Sequence, residues 1–254
     1  MIDPATSFLA GHVGSKLLDK LGSSFRTQVV ERWSRRRAEA FFDQFCSEVA
    51  ASEEAVSGGL DAALTKIIED DTCSEILFDA YRRVALSKSK ELGPRVIALL
   101  TAELVGSKRV PGDIEDAMFL AAENLTDDEL LAFVGFVRKE FDKLPATQKT
   151  ELGLRIQWGE EQFDSNWRRE DGVSTAPLDL DECLGRWASK LKSYGIVSDD
   201  MREREFAYSA DSEAHVDQDG YVREITWWIQ VPPVYFKLVE LIERAASNLF
   251  FSRK

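Results

Sequence analysis

Apolar residues recur at helical spacing in the first half of the chain. Near the start they fall at Leu9, Val13, Leu17 and Leu21, and residues four apart lie on one stripe of a helix. Gly22 follows directly and suits the end of such a helix. The spacing therefore predicts an amphipathic N-terminal helix.

Start and stop signals divide the following residues into further helices. Thr126 and Glu129 can form a capping box, since the hydroxyl and the carboxylate satisfy each other's backbone donors. Pro94 suits the first turn of the segment PRVIALLTAELV, which is apolar almost all round and is expected at the buried centre of a bundle. Gly58 and Gly59 mark a break between helices. We predict helices over about 25–51, 60–70, 74–87, 94–105, 114–124 and 127–144.

The pattern changes in the last third of the chain. Asp179 and Glu182 can cap a helix, DECLGRWASKLKSY, that ends at Gly195. Two runs with strand character follow, and Asp219–Gly220 is a turn signal between them. The predicted strands cover 204–209 and 221–229, and Pro232–Pro233 open a final helix that continues to about residue 249.

These elements predict a mainly α protein, with an N-terminal helical bundle followed by a small α+β domain. Composition also changes along the chain, because five of the six tryptophans lie in the second half. The polar segment RREDGVSTAP is typical of a linker. The predicted domains are an all-helical bundle over 1–167, a linker over 168–178 and the α+β domain over 179–254.

The C-terminal domain resembles a winged-helix module. The segment LGRWASKLKSYGIV supplies the helix, and EREFAYSA with GYVREITWWIQ supplies a wing-like hairpin. The resemblance covers about 75 residues. The helix-rich front with such a tail is also similar to bacterial accessory proteins of abortive infection, which defend against phages. These resemblances imply a winged-helix-like domain and a role in antiviral defence.

Charge favours a protein partner over DNA. The net charge is −13, and a field of that sign disfavours general binding to nucleic acid. The hairpin carries Asp211, Glu213, Asp217 and Asp219, which would repel phosphates. DNA binding is therefore not expected, and a basic protein is the partner that the charge suits.

A second hypothesis places the N-terminal residues on a membrane. Residues 1–50 contain seven Lys and Arg against six Asp and Glu, so they are nearly neutral within an acidic chain. The amphipathic helix could insert into a bilayer while the arginines contact lipid headgroups. The residues proposed for this contact are Phe8, Leu9, Val13, Leu17, Arg32, Arg35, Arg36 and Arg37.

No recognised catalytic or metal-binding pattern is present. The only histidines are His12 and His215, and the three cysteines are too far apart for a zinc site. Ser87 and Lys90 satisfy S-x-x-K without any supporting motif. Acidic groups at 69–71, 113–116 and 127–129 lie at predicted helix ends, where capping explains them. We expect no catalytic residue, metal or cofactor, and a carboxylate-based enzyme is a third alternative.

The sequence thus predicts a non-enzymatic protein-interaction factor. Scattered cysteines and the lack of about 20 consecutive apolar residues or of a signal peptide favour the cytoplasm. Trp227 and Trp228 are neighbours on one strand, so they point to opposite faces. One is expected to enter the core and the other to remain available to a partner. The candidate contact residues are Trp227, Trp228, Tyr208 and Trp187.

Overall fold

The computed structural model describes residues 35–143, 154–164, 180–208 and 220–252. This part of the chain is mainly helical, as predicted, and also contains a three-stranded sheet. The first seven helices are α1 (Arg35–Ala50), α2 (Glu53–Gly58), α3 (Leu60–Glu69), α4 (Asp71–Leu86), α5 (Leu92–Ser107), α6 (Asp113–Asn124) and α7 (Asp127–Lys143). They are followed by β1 (Leu154–Asp164), α8 (Leu180–Leu184), α9 (Arg186–Ser193), β2 (Ser198–Tyr208), β3 (Gly220–Val231), a 3₁₀ turn (Pro233–Tyr235) and α10 (Phe236–Ser252).

The chain forms two compact units. The described part of the first, which we call the helical unit, comprises residues 35–136 and 237–252. The second, the sheet unit, lies within 137–236. The predicted N-terminal helix and the predicted linker over 168–178 fall outside the described residues.

Helix α5 is the centre of the helical unit, as its sequence predicts. Every residue from Leu92 to Thr101 is buried, and so are Leu104 and Val105. The helix packs against α1, α4 and α6, which explains why it is apolar on all sides. Pro94 occupies its first turn, where a missing N–H removes no hydrogen bond within the helix.

The surrounding helices each bury one face. In α4 the buried residues follow helical spacing, at Cys73, Ile76, Leu77, Ala80, Tyr81 and Val84. Tyr81 packs with Phe41 and Phe42 of α1, with ring centroids 5.4 and 4.8 Å apart. Aromatic packing between α1 and α4 therefore holds the first part of the bundle together.

The last helix, α10, also belongs to the helical unit. Its buried residues are Leu238, Val239, Leu241, Ile242 and Ala245. The Asn248 amide donates to Gln44 Oε1 at 2.9 Å, and Arg244 pairs with Glu48 at 2.9 Å. A helix predicted as the end of the C-terminal domain thus packs with the first helix that the structure describes.

The sheet has the strand order β1-β3-β2, and both pairs are antiparallel. The predicted hairpin is confirmed as the β2–β3 pair, with Tyr208 opposite Gly220. Strand β1 lies within 1–167, where the sequence analysis predicts helices alone. It pairs with β3 from Leu154↔Val231 onward, so a contact far along the chain decides its conformation.

Two glycines shape the helices before the hairpin. The single helix predicted over 181–194 is divided at Gly185, whose φ of +97° favours glycine and interrupts the helix. Gly195 has a φ of +74° and donates to the Lys192 carbonyl, while Ile196 donates to the Leu191 carbonyl. This is a Schellman motif, and it ends α9 where the sequence predicts.

Candidate functional site

Two of the predicted contact residues belong to the core of the sheet unit. The side chain of Trp227 is fully buried, and its Nε1 donates to Asp199 Oδ2 at 3.2 Å. Trp187 is only 4% exposed. Both side chains are therefore packed within the sheet unit, and Trp227 is the member of the Trp227–Trp228 pair that enters the core. Tyr208 is the last residue of β2.

Trp228 lies on the opposite face of the central strand from Trp227 and is half-buried. It is opposite Asp200, while Ser198 is opposite Gln230. Residues directly opposite in an antiparallel pair share a face. We call this set, Ser198, Asp200, Trp228 and Gln230, the Trp228 face. It carries one large aromatic ring among polar side chains.

The other face of the sheet is apolar and buried at positions 227, 229 and 231 of β3. Trp227 and Ile229 are 0% exposed, and Val231 is 1% exposed. Met201 of β2 is opposite Trp227 and is 51% exposed, because β2 is an edge strand. Over residues 198–201 and 227–231, the sheet therefore has an apolar face that is buried on β3 and a polar face with a tryptophan on the middle strand.

Within the N-terminal basic cluster, Arg36 is engaged with an acidic residue. Its guanidinium forms an ion pair with Glu91, the residue that precedes α5. Arg37 is half-buried, and Arg35 begins α1. Arg32 and the apolar residues Phe8, Leu9, Val13 and Leu17 lie outside the described residues. Arg36 thus contributes to the junction of α1 and α5.

A buried charge lies beside that ion pair. Arg95 of α5 is 7% exposed, and its Nε has no hydrogen-bond partner. Burial lowers the pKa of Arg95, while nearby Asp43 and Glu91 oppose that effect. Burial also raises the pKa of Asp43. Asp43 of α1 and Glu91 thus offset the burial of the Arg95 charge where α1 packs against α5.

The acidic clusters serve as helix caps, as their positions predict. Asp70 accepts a hydrogen bond from the Cys73 amide at 3.1 Å at the start of α4. The Thr126 amide donates to Glu129 Oε2 at 2.8 Å, and Glu129 N donates to Thr126 Oγ1 at 3.3 Å, which completes the predicted box. In the described ranges, no three His, Cys, Asp or Glu residues are grouped so as to hold a metal ion.

The side chains that could act as nucleophiles are those of Ser87, Lys90 and Cys46. Ser87 is buried, and its hydroxyl lies 3.3 Å from the carbonyl oxygens of Ser89 and Ala122. Lys90 is exposed. Burial raises the pKa of the Cys46 thiol to about 12, so this thiol stays protonated at neutral pH. These contacts describe packing between helices.

A feature that sequence analysis does not indicate is a pocket of about 300 Å³ in the helical unit. It lies where α1, α3, α4 and α5 meet. No motif predicts it, because apolar, small and charged residues of four helices form its walls together. The lining residues are Glu48, Val49, Ser52, Ala63, Lys66, Ile67, Asp70, Cys73, Ala102, Val105, Gly106 and Lys108.

Comparisons with protein-family models, curated proteins and solved structures find no match to this chain. None of the helices in the described ranges combines the length and the apolar character needed to cross a membrane. The chemistry of the side chains themselves is therefore the basis for a functional proposal.

Proposed function

We propose that this chain is a non-enzymatic protein-interaction factor that contacts its partner through the Trp228 face. The supporting observation is the position of Trp228, half-buried on the central strand, while its neighbour Trp227 fills the core. Tryptophan is enriched among the residues that carry binding energy at protein interfaces. The polar residues around Trp228 suit a surface that is exposed to water whenever the partner is not bound.

The sheet unit is proposed to be winged-helix-like. Helix α9 is followed by the antiparallel strands β2 and β3, and β1 adds a third strand beside β3. Charge argues for a protein partner in this module. In a winged-helix module, α9 would be the helix that reads DNA. Its Lys192 forms an ion pair with Asp199 at 2.6 Å and so is engaged within the chain. Phosphate contacts require such lysines.

The partner is proposed to be a basic protein in the bacterial cytoplasm, in an accessory, immunity or phage-defence role. The net charge of −13 supports a basic partner. Cys46, Cys73 and Cys183 are all free thiols, which fits a reducing compartment.

The test compares full-length variants in a tagged pull-down from the native host, read by quantitative mass spectrometry. Trp228→Gln is expected to lose a basic protein that the native chain enriches. Met201→Gln is the control, because Met201 is exposed on the same sheet but shares the face of Trp227. Whole-chain variants are needed, since removing the C-terminal residues would also remove α10 from the helical unit.

Recovery of the same proteins with Trp228→Gln as with the native chain would refute this role for the Trp228 face. Enrichment of membrane components by both variants would favour the membrane-acting alternative for residues 1–50. Turnover of a substrate by the purified chain would contradict a non-enzymatic role.

A further inference from the structure

The pocket of the helical unit has a closed apolar base. Val49, Ala63, Ile67, Cys73 and Val105 are each 9% exposed or less. These side chains come from four helices that pack together. Its volume of about 300 Å³ lies at the lower end of the range for small-molecule sites. A short apolar group would be shielded from water there.

Small residues create the space. Ala63, Ala102 and Gly106 line the pocket, and a Cβ added to Gly106 would meet no atom within 4 Å. Helix α5 is otherwise tightly packed, because a Cβ at Gly93 would lie 2.3 Å from the Ala122 carbonyl oxygen. Gly106 is exposed near the end of α5, so a larger side chain there would meet no packed neighbour while it narrows the pocket.

Among the described charged residues that line the pocket, Lys66 is the one that takes part in no ion pair. Glu48 pairs with Arg244 at 2.9 Å, and Asp70 pairs with Lys108 at 3.2 Å. Lys66 is exposed and also lines the pocket, and none of the ion pairs found among the described residues involves it. In a chain of net charge −13, a single lysine beside an apolar cavity suits a ligand with one negative charge.

Lys108, which also lines the pocket, has an unfavourable backbone conformation. Among the described residues it is the one non-glycine residue with a positive φ, at +49°. Glycine is preferred in this conformation because it has no Cβ to clash. A lysine at this position places its amine beside Asp70 and cancels the negative charge of that carboxylate near the pocket.

We propose that this pocket binds a short- or medium-chain monocarboxylate, with its alkyl chain in the apolar base and its carboxylate beside Lys66. A phosphate group would need several donors. The amide of Cys73 at the start of α4 is already bonded to Asp70, and Lys108 is paired with the same carboxylate. Lys66 is then the lysine left for the ligand, which matches a monoanion. The site is independent of the Trp228 face, since it lies in the other unit.

The test is isothermal titration calorimetry of the full chain with sodium butanoate, hexanoate and octanoate. Each added CH₂ should tighten Kd by about threefold to fourfold until the pocket is filled. Hexylammonium, with the same chain length and the opposite charge, should bind at least tenfold more weakly than hexanoate. Equal affinity for these two compounds, or no binding by any of the alkanoates, would overturn the proposal.

Two pairs of variants locate the site. Gly106→Leu should weaken hexanoate binding at least tenfold, while Gly135→Leu should leave it unchanged. Gly135 is also helical and exposed with no atom near an added Cβ, but it does not line the pocket. Lys66→Gln should weaken binding several-fold, and Lys90→Gln, at another exposed lysine, should not. Native affinity in Gly106→Leu would overturn the proposal.

Lys108→Gly separates binding from folding. This change should keep or raise the thermal midpoint, because it relieves the positive φ. It should also weaken hexanoate binding, because Asp70 then lies uncompensated beside the anion. A variant that binds hexanoate as tightly as the native chain would contradict the electrostatic part of the proposal.

Discussion

Gly93 of α5 is tightly packed, whereas Gly106 of the same helix has open space around it. Substitution by alanine should therefore change the free energy of unfolding in opposite directions at the two positions. Gly93→Ala would bring a Cβ within 2.3 Å of the Ala122 carbonyl oxygen, and we expect a loss of about 1–3 kcal/mol from overpacking. Gly106→Ala meets no atom within 4 Å and should stabilise the helix by about 0.4–1 kcal/mol. Urea denaturation measures both, and a common direction of change would contradict the contrast.

Glu115 and Glu123 of α6 should affect the pH dependence of stability with opposite signs. The hydrogen bond from Arg109 lowers the pKa of Glu115, while burial raises the pKa of Glu123. A group whose pKa is lower in the native state than in the unfolded state stabilises the native state at a pH above its unfolded pKa, and this stabilisation is lost as the pH falls. A group whose pKa is raised in the native state makes the protein less stable as the pH rises through its native pKa.

Substitution by glutamine removes both effects. At neutral pH, Glu115→Gln should lower the free energy of unfolding and Glu123→Gln should raise it. Both differences should shrink well below pH 4.5, the ordinary pKa of glutamate, because the native side chains are then protonated in both states. Urea titrations at neutral and acidic pH measure this, and equal signs for the two variants at neutral pH would refute it.

Residue-scale features could be predicted where they are local in sequence. The Thr126–Glu129 box joins residues three apart, so the sequence contains all of its parts. The close approach at Gly93 depends on how α5 packs against α6, and no sequence pattern around Gly93 indicates it. The pocket beside Lys66 has the same origin, since helices distant in sequence form its walls.

Asp127 links two helices. It is the first residue of α7, yet its carboxylate accepts hydrogen bonds from the Leu92 amide at 2.8 Å, the Lys90 amide at 3.3 Å and the Ser89 hydroxyl. It thus caps the start of α5, whose own N-cap residue, Glu91, makes no side-chain cap bond. The acidic group at 127–129 predicts a cap for α7 alone, because a cap for a distant helix has no local signal.

Asp127→Ala should therefore destabilise the protein by about 1–2 kcal/mol, as loss of a helix cap does. Asp128→Ala is the matched control, since Asp128 is an exposed neighbour in the same first turn and should change stability by less than about 0.5 kcal/mol. Thermal and urea unfolding measure both. Equal losses would mean that helix-dipole charge, and not the contact with α5, explains the effect.

At the level of elements, α3 to α7 and the end of α1 followed from periodicity within a few residues. The start predicted for the first of these helices, at about residue 25, lies outside the described residues, and α2 was not predicted. Strand β1 was missed because its alternation, Leu154, Ile156 and Trp158, stops at Gly159, where the pairing register also shifts. The break at Gly185 was missed because a glycine inside a helical pattern is often tolerated. Pairing with β3 determines the strand conformation of β1, and the positive φ of Gly185 determines the break between α8 and α9.

At the scale of the whole molecule, α10 follows the sheet unit in the sequence but belongs to the helical unit. Ile242→Ala should cost about 2–5 kcal/mol, because Ile242 is fully buried and its truncation leaves a cavity. Glu240→Ala, at an exposed position of the same helix, should be close to neutral. Calorimetric unfolding measures both, and a neutral Ile242→Ala would contradict the assignment of α10 to this unit.

Sequence order predicted α10 as part of the C-terminal domain, because it directly follows the hairpin. Contacts place it elsewhere: the amide of Asn248 reaches Gln44, and Arg244 reaches Glu48. Amphipathic spacing shows that a helix has a face to bury, but it does not show which partner covers that face.

Because α10 belongs to the helical unit, this unit cannot be completed early in synthesis on the ribosome. Helices α1 to α7 are made before α10, and the apolar face that α10 covers stays uncovered while residues 144–235 are translated. Since chains elongate at about 5–20 residues per second, this interval lasts about 5–20 seconds. During it the unfinished bundle exposes surface to chaperones, and the sheet unit emerges while the helical unit is still incomplete.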